Sequence, residues 1–281
     1  MRAPFHLKPL GTALGAEVEG LDLAEPMGGN TAQALLQALG DHGILVLRNQ
    51  DLSPDQHRAA AQALGRININ RFFPAVDGHP DIAEVRKEPD QKTNVGSSWH
   101  TDHSYDAEPA LGSLLYAREV PEVGGDTLFA GMYAAYEALS DGLKTTLKGL
   151  SAVHGSAHVF GAKAVADYGY GRFSNAGQAN QLSTHPVVIR HPISGREALY
   201  VNPQFTLRFE GWTDEESQPL LAFLGRHATR PEFVFRLQWD KGTLAIWDNR
   251  ATWHQAINDY HGKRRLMHRI TLDGCALEAA A

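Results

Sequence analysis

Trp99-His100-Thr101-Asp102 is the stretch on which the reading of this chain turns. On an extended strand, residues i and i+2 point to the same face, so His100 and Asp102 can offer an imidazole and a carboxylate to one ion. A second imidazole from a distant strand completes the set. His254 is the candidate, closing Trp247-Asp248-Asn249-Arg250-Ala251-Thr252-Trp253-His254. Two His and one carboxylate leave half an octahedron open, which suits non-haem Fe(II) that must also bind a co-substrate and O₂. The same three residues could hold Zn²⁺, which takes His and Asp but prefers four ligands. His-X-Asp alone carries little weight, because a chain with 14 His and many Asp yields it by chance.

Beyond His254 lies Arg265, inside Lys263-Arg264-Arg265-Leu266-Met267-His268-Arg269. On a strand Arg265, Met267 and Arg269 share one face, and Arg264, Leu266 and His268 the other. Two arginines beside a Met make an odd core face, since Arg is rarely buried without a partner. A basic, solvated edge strand is the plain alternative. Next to two His and an Asp, an anion site is the better reading, because a guanidinium fork grips a carboxylate in two places.

Taken together, these segments resemble the taurine dioxygenase / 2,4-dichlorophenoxyacetate dioxygenase family of Fe(II)- and 2-oxoglutarate-dependent enzymes. The resemblance runs from about Leu7 to Gly274. It rests on Pro9-Leu10-Gly11 with Gly15-Ala16-Glu17-Val18, on Gly43-Ile44-Leu45-Val46-Leu47-Arg48-Asn49-Gln50, and on Trp99-His100-Thr101-Asp102. Pro121-Glu122-Val123-Gly124-Gly125-Asp126-Thr127, Ala134-Ala135-Tyr136-Glu137-Ala138-Leu139-Ser140 and Tyr200-Val201-Asn202 add to it, as do Ala245-Ile246-Trp247-Asp248-Asn249-Arg250 and Arg264 to Arg269. Ordered motifs at family-like spacing are far more specific than any one of them.

The resemblance implies an α+β fold with a double-stranded β-helix (jelly roll) core and flanking helices, as one domain over residues 1–281. It implies His100, Asp102 and His254 as ligands of Fe(II), with Thr127 and Arg265 on the far carboxylate of 2-oxoglutarate. O₂ is the third reactant. Oxidative decarboxylation yields succinate and CO₂ as a substrate C–H is hydroxylated; a hydroxyl placed beside a heteroatom then collapses to a carbonyl compound and a leaving group. Arg269 is implied to grip the anionic group of a small substrate: a sulfonate, a sulfate ester, or a carboxylate such as an aryloxyalkanoate.

The chain departs from the taurine-specific pattern around Asn70 and Phe73, where the taurine enzyme has a His and a Tyr. The loop Asn94-Val95-Gly96-Ser97-Ser98 lacks the Asp-Asn pair that receives taurine's ammonium. With Phe160 and Phe205, this favours a more apolar substrate body over taurine. His103, Tyr105 and His158 could reach the pocket, but each is a lone candidate for which a packed or surface role is the better reading. A zinc hydrolase on the same three ligands is the alternative, needing a carboxylate base nearby; a non-catalytic jelly-roll binding protein is another.

Composition narrows the classes. A net charge of −6 argues against an obligate nucleic-acid partner. One cysteine, Cys275, permits no intrachain disulfide and fits a reducing compartment. The N-terminus lacks an apolar signal-like run and no stretch reaches membrane-spanning length, so a cytoplasmic protein is expected, with homo-oligomers (dimer or tetramer) expected from the resemblance.

Local patterns place the elements. Asn30 to Leu39 reads as an amphipathic helix and Gly43 to Leu47 as a buried strand. Ser53 caps a helix that begins at Pro54 and ends near Gly65, and Thr213 caps one running to about His227. A further helix is expected over Met132 to Leu150. Gly124-Gly125-Asp126-Thr127 reads as a hairpin turn whose glycines permit positive φ. Asp248-Asn249-Arg250 reads as a local cap and ion pair holding the strand that presents His254.

Overall fold

Ile44–Leu47 has no polar side chain and is buried along its whole length, so it can only sit inside a sheet covered on both sides. It pairs antiparallel with Leu244–Asp248, which pairs with Gly112–Glu119, then Arg265–Leu272, then His79–Lys87. His6–Pro9 and Ala16–Glu19 extend one side of this nine-stranded sheet, and Ala75–Val76 ends the other. The computed structural model describes residues 4–162 and 175–281.

The two faces of the sheet have different tasks. Leu45, Leu47, Leu114, Ile246 and Ile270 pack beneath Leu35, Leu39, Ala61 and Leu64 of the helices Gly29–His42 and Pro54–Leu64. Alternate residues Ile44, Val46, Leu115, Ala245, Trp247 and Met267 point the other way, onto Phe129 and Leu237. Those two belong to a three-stranded sheet in the order Val234–Leu237, Thr127–Gly131, Thr252–Ala256. This period of two sends Met267 inward and Ile270 outward, so Arg265 and Arg269 also face inward, as the strand alternation predicts.

Helix signals were sharp where a cap was present. Ser53 and Gln56 form a reciprocal capping box, as do Thr213 and Glu216, each satisfying donors that a helix start leaves bare. The helix expected over Met132 to Leu150 is instead two, Met132–Glu137 and Asp141–Lys148. Ser140 accepts from Leu143 N and starts the second, a cap that wins over continued helical periodicity. Gly124 and Gly125 do have positive φ, +85° and +75°. They do not make a hairpin, however, because the flanking strands Gly112–Glu119 and Thr127–Gly131 lie in different sheets. The result is a mixed α+β architecture with several sheets.

Candidate active site

His100 and His254 meet through an isolated antiparallel bridge, His100 N donating to His254 O at 3.1 Å and His254 N to His100 O at 2.7 Å. The expected extended strand through His100 and Asp102 is absent; Asp102 lies in the turn that follows the bridge, and His103 has φ +59°. The turn brings the carboxylate round to the same point that strand alternation would have reached. One ligand atom from each of His100, Asp102 and His254 lies within 4.8 Å of the others. Thr101 locks the turn by donating its hydroxyl to Asn249 O at 2.5 Å.

Asn249 sits in the cap expected there. Arg250 donates to both carboxylate oxygens of Asp248, at 2.9 and 2.6 Å, and His191 reaches the same carboxylate at 3.0 Å. Both ligand-bearing segments therefore hang on one buried, fully paired knot.

The two imidazoles are held differently. His100 Nδ1 lies 2.7 Å from Ser98 O, so Nδ1–H donates and Nε2 keeps its lone pair for a metal. His254 Nδ1 is buried without a partner; its ring is held by Trp247 and Phe129, at centroid distances of 4.8 and 6.0 Å. Burial pushes His254 down to about 3, with His100 adding to the effect, and burial likewise lowers His100. Burial acts to raise Asp102, yet Arg269 and the two imidazoles outweigh it and hold the carboxyl below its ordinary range. Neutral imidazoles and an ionised carboxylate are the forms that ligate a metal, so the donor set fits a divalent ion with three protein ligands.

Two adjoining cavities share Phe73, Val95, Gly96, His100 and Arg269. Gly96 has φ +78°, and a Cβ there would come within 3.3 Å of the His100 ring, so glycine is required beside the ligand.

One cavity adds His254, Thr127 and Arg265. Arg265 is 6% exposed, yet its Nε and Nη2 have no hydrogen-bond partner. Burial lowers its pKa, against the pull of Tyr260 and Asp126. Leaving charge-bearing donors bare in a protein interior is costly, and an anionic ligand removes that cost. Close packing fixes the guanidinium from behind: a Cβ on Gly125 would lie 3.4 Å from Arg265 Cδ and 3.3 Å from Tyr260. Thr127 opens its strand, as expected, and lines the same cavity as Arg265. A cavity with metal-ligating imidazoles and an unpartnered guanidinium suits a metal ligand that also carries a carboxylate, as 2-oxoglutarate does.

The other cavity adds Asn70, Phe72, Tyr105, Phe160 and Phe205. Phe72 and Phe160 stack at 4.5 Å, and Tyr105 meets Phe205 edge-on at 5.0 Å. Arg269 lies 4.8 Å above the Phe73 ring, places Nη1 3.5 Å from Asp102, and has a buried Nε without a partner. Asn70 lines the cavity, but its carbonyl oxygen accepts from Phe72 N and Phe73 N at 2.9 Å each, leaving its amide hydrogens for a ligand. His103 and Tyr105 are packed, as expected, each 3% exposed, and their edges also line this cavity; His158 lies at the surface outside it. His103 is tied to Asp106 at 3.0 Å, and Asp106 to Arg71.

Sequence reasoning missed Phe72, Gln204 and Trp239. Phe72 adjoins a residue already singled out, and an aromatic pair on one loop was the available signal. No pattern marks Gln204 or Trp239.

The model of the taurine catabolism dioxygenase TauD, TfdA family matches residues 6–271. An alkylsulfatase from Acinetobacter baylyi is 36% identical, over 96% of this chain and 85% of its own. The alpha-ketoglutarate-dependent 2,4-dichlorophenoxyacetate dioxygenase of Cupriavidus pinatubonensis is 33% identical, over 94% and 96%. Among solved structures, AAD-2 in complex with Mn(II) and N-oxalylglycine superposes with a TM-score of 0.80 at 29% identity, covering 96% of this chain and 97% of its own.

Proposed function

Because the chain belongs to the TauD/TfdA family and is a 2-oxoglutarate-dependent non-haem iron dioxygenase, we propose that His100, Asp102 and His254 hold its Fe(II). In this reading Thr127 and Arg265 receive the far carboxylate of 2-oxoglutarate, and Arg269 anchors the anion of a small substrate. The bound iron and co-substrate supply the oxidative decarboxylation that hydroxylates a substrate C–H and releases succinate and CO₂. The chain's own residues ligate, orient and exclude water. The observation that carries the reading is that Arg265, with two buried nitrogens lacking any partner, lines the same cavity as His100 and His254.

The substrates are sulfate esters, sulfonates or aryloxyalkanoates, the classes on which the relatives act. Within that set the reading favours an apolar body. The aromatic walls Phe72, Phe73, Phe160 and Phe205 bury carbon, at about 25 cal/mol per Å². Taurine's ammonium has no partner there: Asp102 is the one carboxylate among the described lining residues, and Arg269 and the two imidazoles already face it. That same scarcity removes the zinc-hydrolase reading, which needs a second, free carboxylate as base.

The larger sheet and the sheet bearing His254 are proposed as the two halves of a double-stranded β-helix in one catalytic domain, with Asn70, Phe73, Phe160 and Phe205 as its substrate-facing residues. No described helix is long and apolar enough to cross a membrane. A cytoplasmic homo-oligomer, dimer or tetramer, completes the proposal.

The test is an anaerobic titration with Fe(II) and 2-oxoglutarate, followed by a succinate-release screen over the three substrate classes and taurine. A weak visible charge-transfer band and a higher kcat/KM for an apolar-bodied acid than for taurine are expected. No band would refute the iron and co-substrate assignments, and preference for taurine would refute the aromatic-wall reading.

A further inference from the structure

Behind the Thr127–Arg265 corner lies Trp239, 6% exposed, just after the strand Val234–Leu237. It does not line the cavity, yet it touches both residues that do. Its indole N–H donates to Thr127 Oγ1 at 3.0 Å, and the Arg265 guanidinium carbon lies 5.7 Å from its ring centroid.

An indole is a donor only, so the Thr127 oxygen must accept. A hydroxyl has a single proton, and that proton then has to point away from Trp239. Thr127 is 4% exposed, and among the described residues no acceptor takes its proton. Thr127 lines the cavity together with Arg265, whose Nε and Nη2 have no partner, so a proton turned from the indole has the cavity open to it. A threonine at the head of a strand would otherwise be free to turn its proton toward a backbone carbonyl. Hydrogen bonding from the indole removes that choice and presents an O–H donor beside the guanidinium.

We propose that Trp239 is a positioning residue that fixes Thr127 as a donor and thereby sets the enzyme's preference for a dicarboxylic over a monocarboxylic 2-oxo acid. The inference rests on the reading of this cavity as the 2-oxoglutarate site. The ring over Arg265 adds a cation–π contact, but the preference itself comes from the N–H.

The Fe(II)-loaded full chain is titrated anaerobically with 2-oxoglutarate and with 2-oxopentanoate, which has the same length but no far carboxylate. Wild type, Trp239→Phe, Thr127→Val and the double variant are compared by the charge-transfer band. Trp239→Phe should weaken 2-oxoglutarate about fivefold, the scale of one hydrogen bond, and leave 2-oxopentanoate unchanged. The double variant should bind no more weakly than Thr127→Val. Equal weakening of both acids, no weakening, or full additivity would overturn the proposal. A measurement on unsubstituted Trp239 guards against a misfolded variant: in the Zn(II) form, its indole N–H resonance should move with 2-oxoglutarate and stay put with 2-oxopentanoate. Movement with both acids, or with neither, also overturns it. Failure of wild type to bind 2-oxoglutarate at all would instead remove the underlying site assignment.

Discussion

The lobe around Thr127 and Arg265 and the lobe around Asn70, Tyr105 and Phe160 share walls but are built from different material. In the first, the functional side chains stand on strands whose neighbours are fixed by ladders on both sides: Arg265–Leu272 between His79–Lys87 and Gly112–Glu119, and Thr127–Gly131 between Val234–Leu237 and Thr252–Ala256. In the second, Asn70, Phe72 and Phe73 come from a loop, Tyr105 from a turn and Phe160 from the four-residue helix Ala157–Phe160. The first offers a guanidinium with two unpartnered nitrogens and a hydroxyl held by Trp239; the second offers stacked rings. On the proposed assignment, a strand-borne site measures one fixed distance, from metal to far carboxylate. A loop-borne site measures approximate shape, and its selectivity is correspondingly soft.

The metal face joins the two lobes, and breaking it should erase the distinction. His100→Ala, Asp102→Ala and His254→Ala should each drop substrate-dependent succinate formation to background while circular dichroism stays near wild type. These are the three donors grouped within reach of one ion among the described residues. Near-normal turnover in any one of them at limiting iron would contradict the assignment.

The two arginines separate the lobes next. Arg265→Ala should raise the 2-oxoglutarate requirement severely, since losing one partner of a buried charge pair costs about 3–5 kcal/mol, or roughly two to three and a half orders of magnitude. Arg269→Ala should act chiefly on the substrate's KM. Its Nη1 also lies 3.5 Å from Asp102, so some disturbance of the metal face is expected, smaller than the substrate effect. Steady-state KM values for both reactants decide the matter. Equal effects of the two variants on 2-oxoglutarate would dissolve the comparison.

What the sequence made legible follows the same division. Period-two alternation put Arg265, Met267 and Arg269 on one inward face because a strand leaves no other choice. The capping residues Ser53 and Thr213 marked helix starts because a side-chain oxygen there has a local, sequence-near partner. Asp102 was placed with the right neighbours by the wrong backbone: alternation predicted a strand, and a turn stabilised by the distant carbonyl of Asn249 delivers the carboxylate instead. Trp239 was invisible because its importance lies in a hydrogen bond across 112 residues to Thr127. His103 and Tyr105 could be read as packed but not placed on a cavity wall: whether a loop side chain meets a cavity is decided by long-range packing such as the Arg71–Asp106 pair, not by local spacing.

The smallest expected effect probes the softness of the loop-borne lobe. Phe160 is 8% exposed, stacked on Phe72 and 5.8 Å from Phe205. Phe160→Leu keeps an apolar wall but loses the flat contact, and aromatic pairs contribute about 0.5–1.5 kcal/mol beyond buried area. The variant should lower kcat/KM for an aryl-bodied acid by about two- to twelvefold by that scale. For a linear alkyl sulfate the loss should be smaller, because a flexible chain can follow a reshaped wall. The 2-oxoglutarate requirement should not move, since Phe160 does not line the strand-borne cavity. A loss shared equally by aryl and alkyl substrates would mean that the ring stack sets the position of the loop rather than the shape of the substrate pocket, and the contrast between a measuring lobe and an adaptable one would then have to be given up.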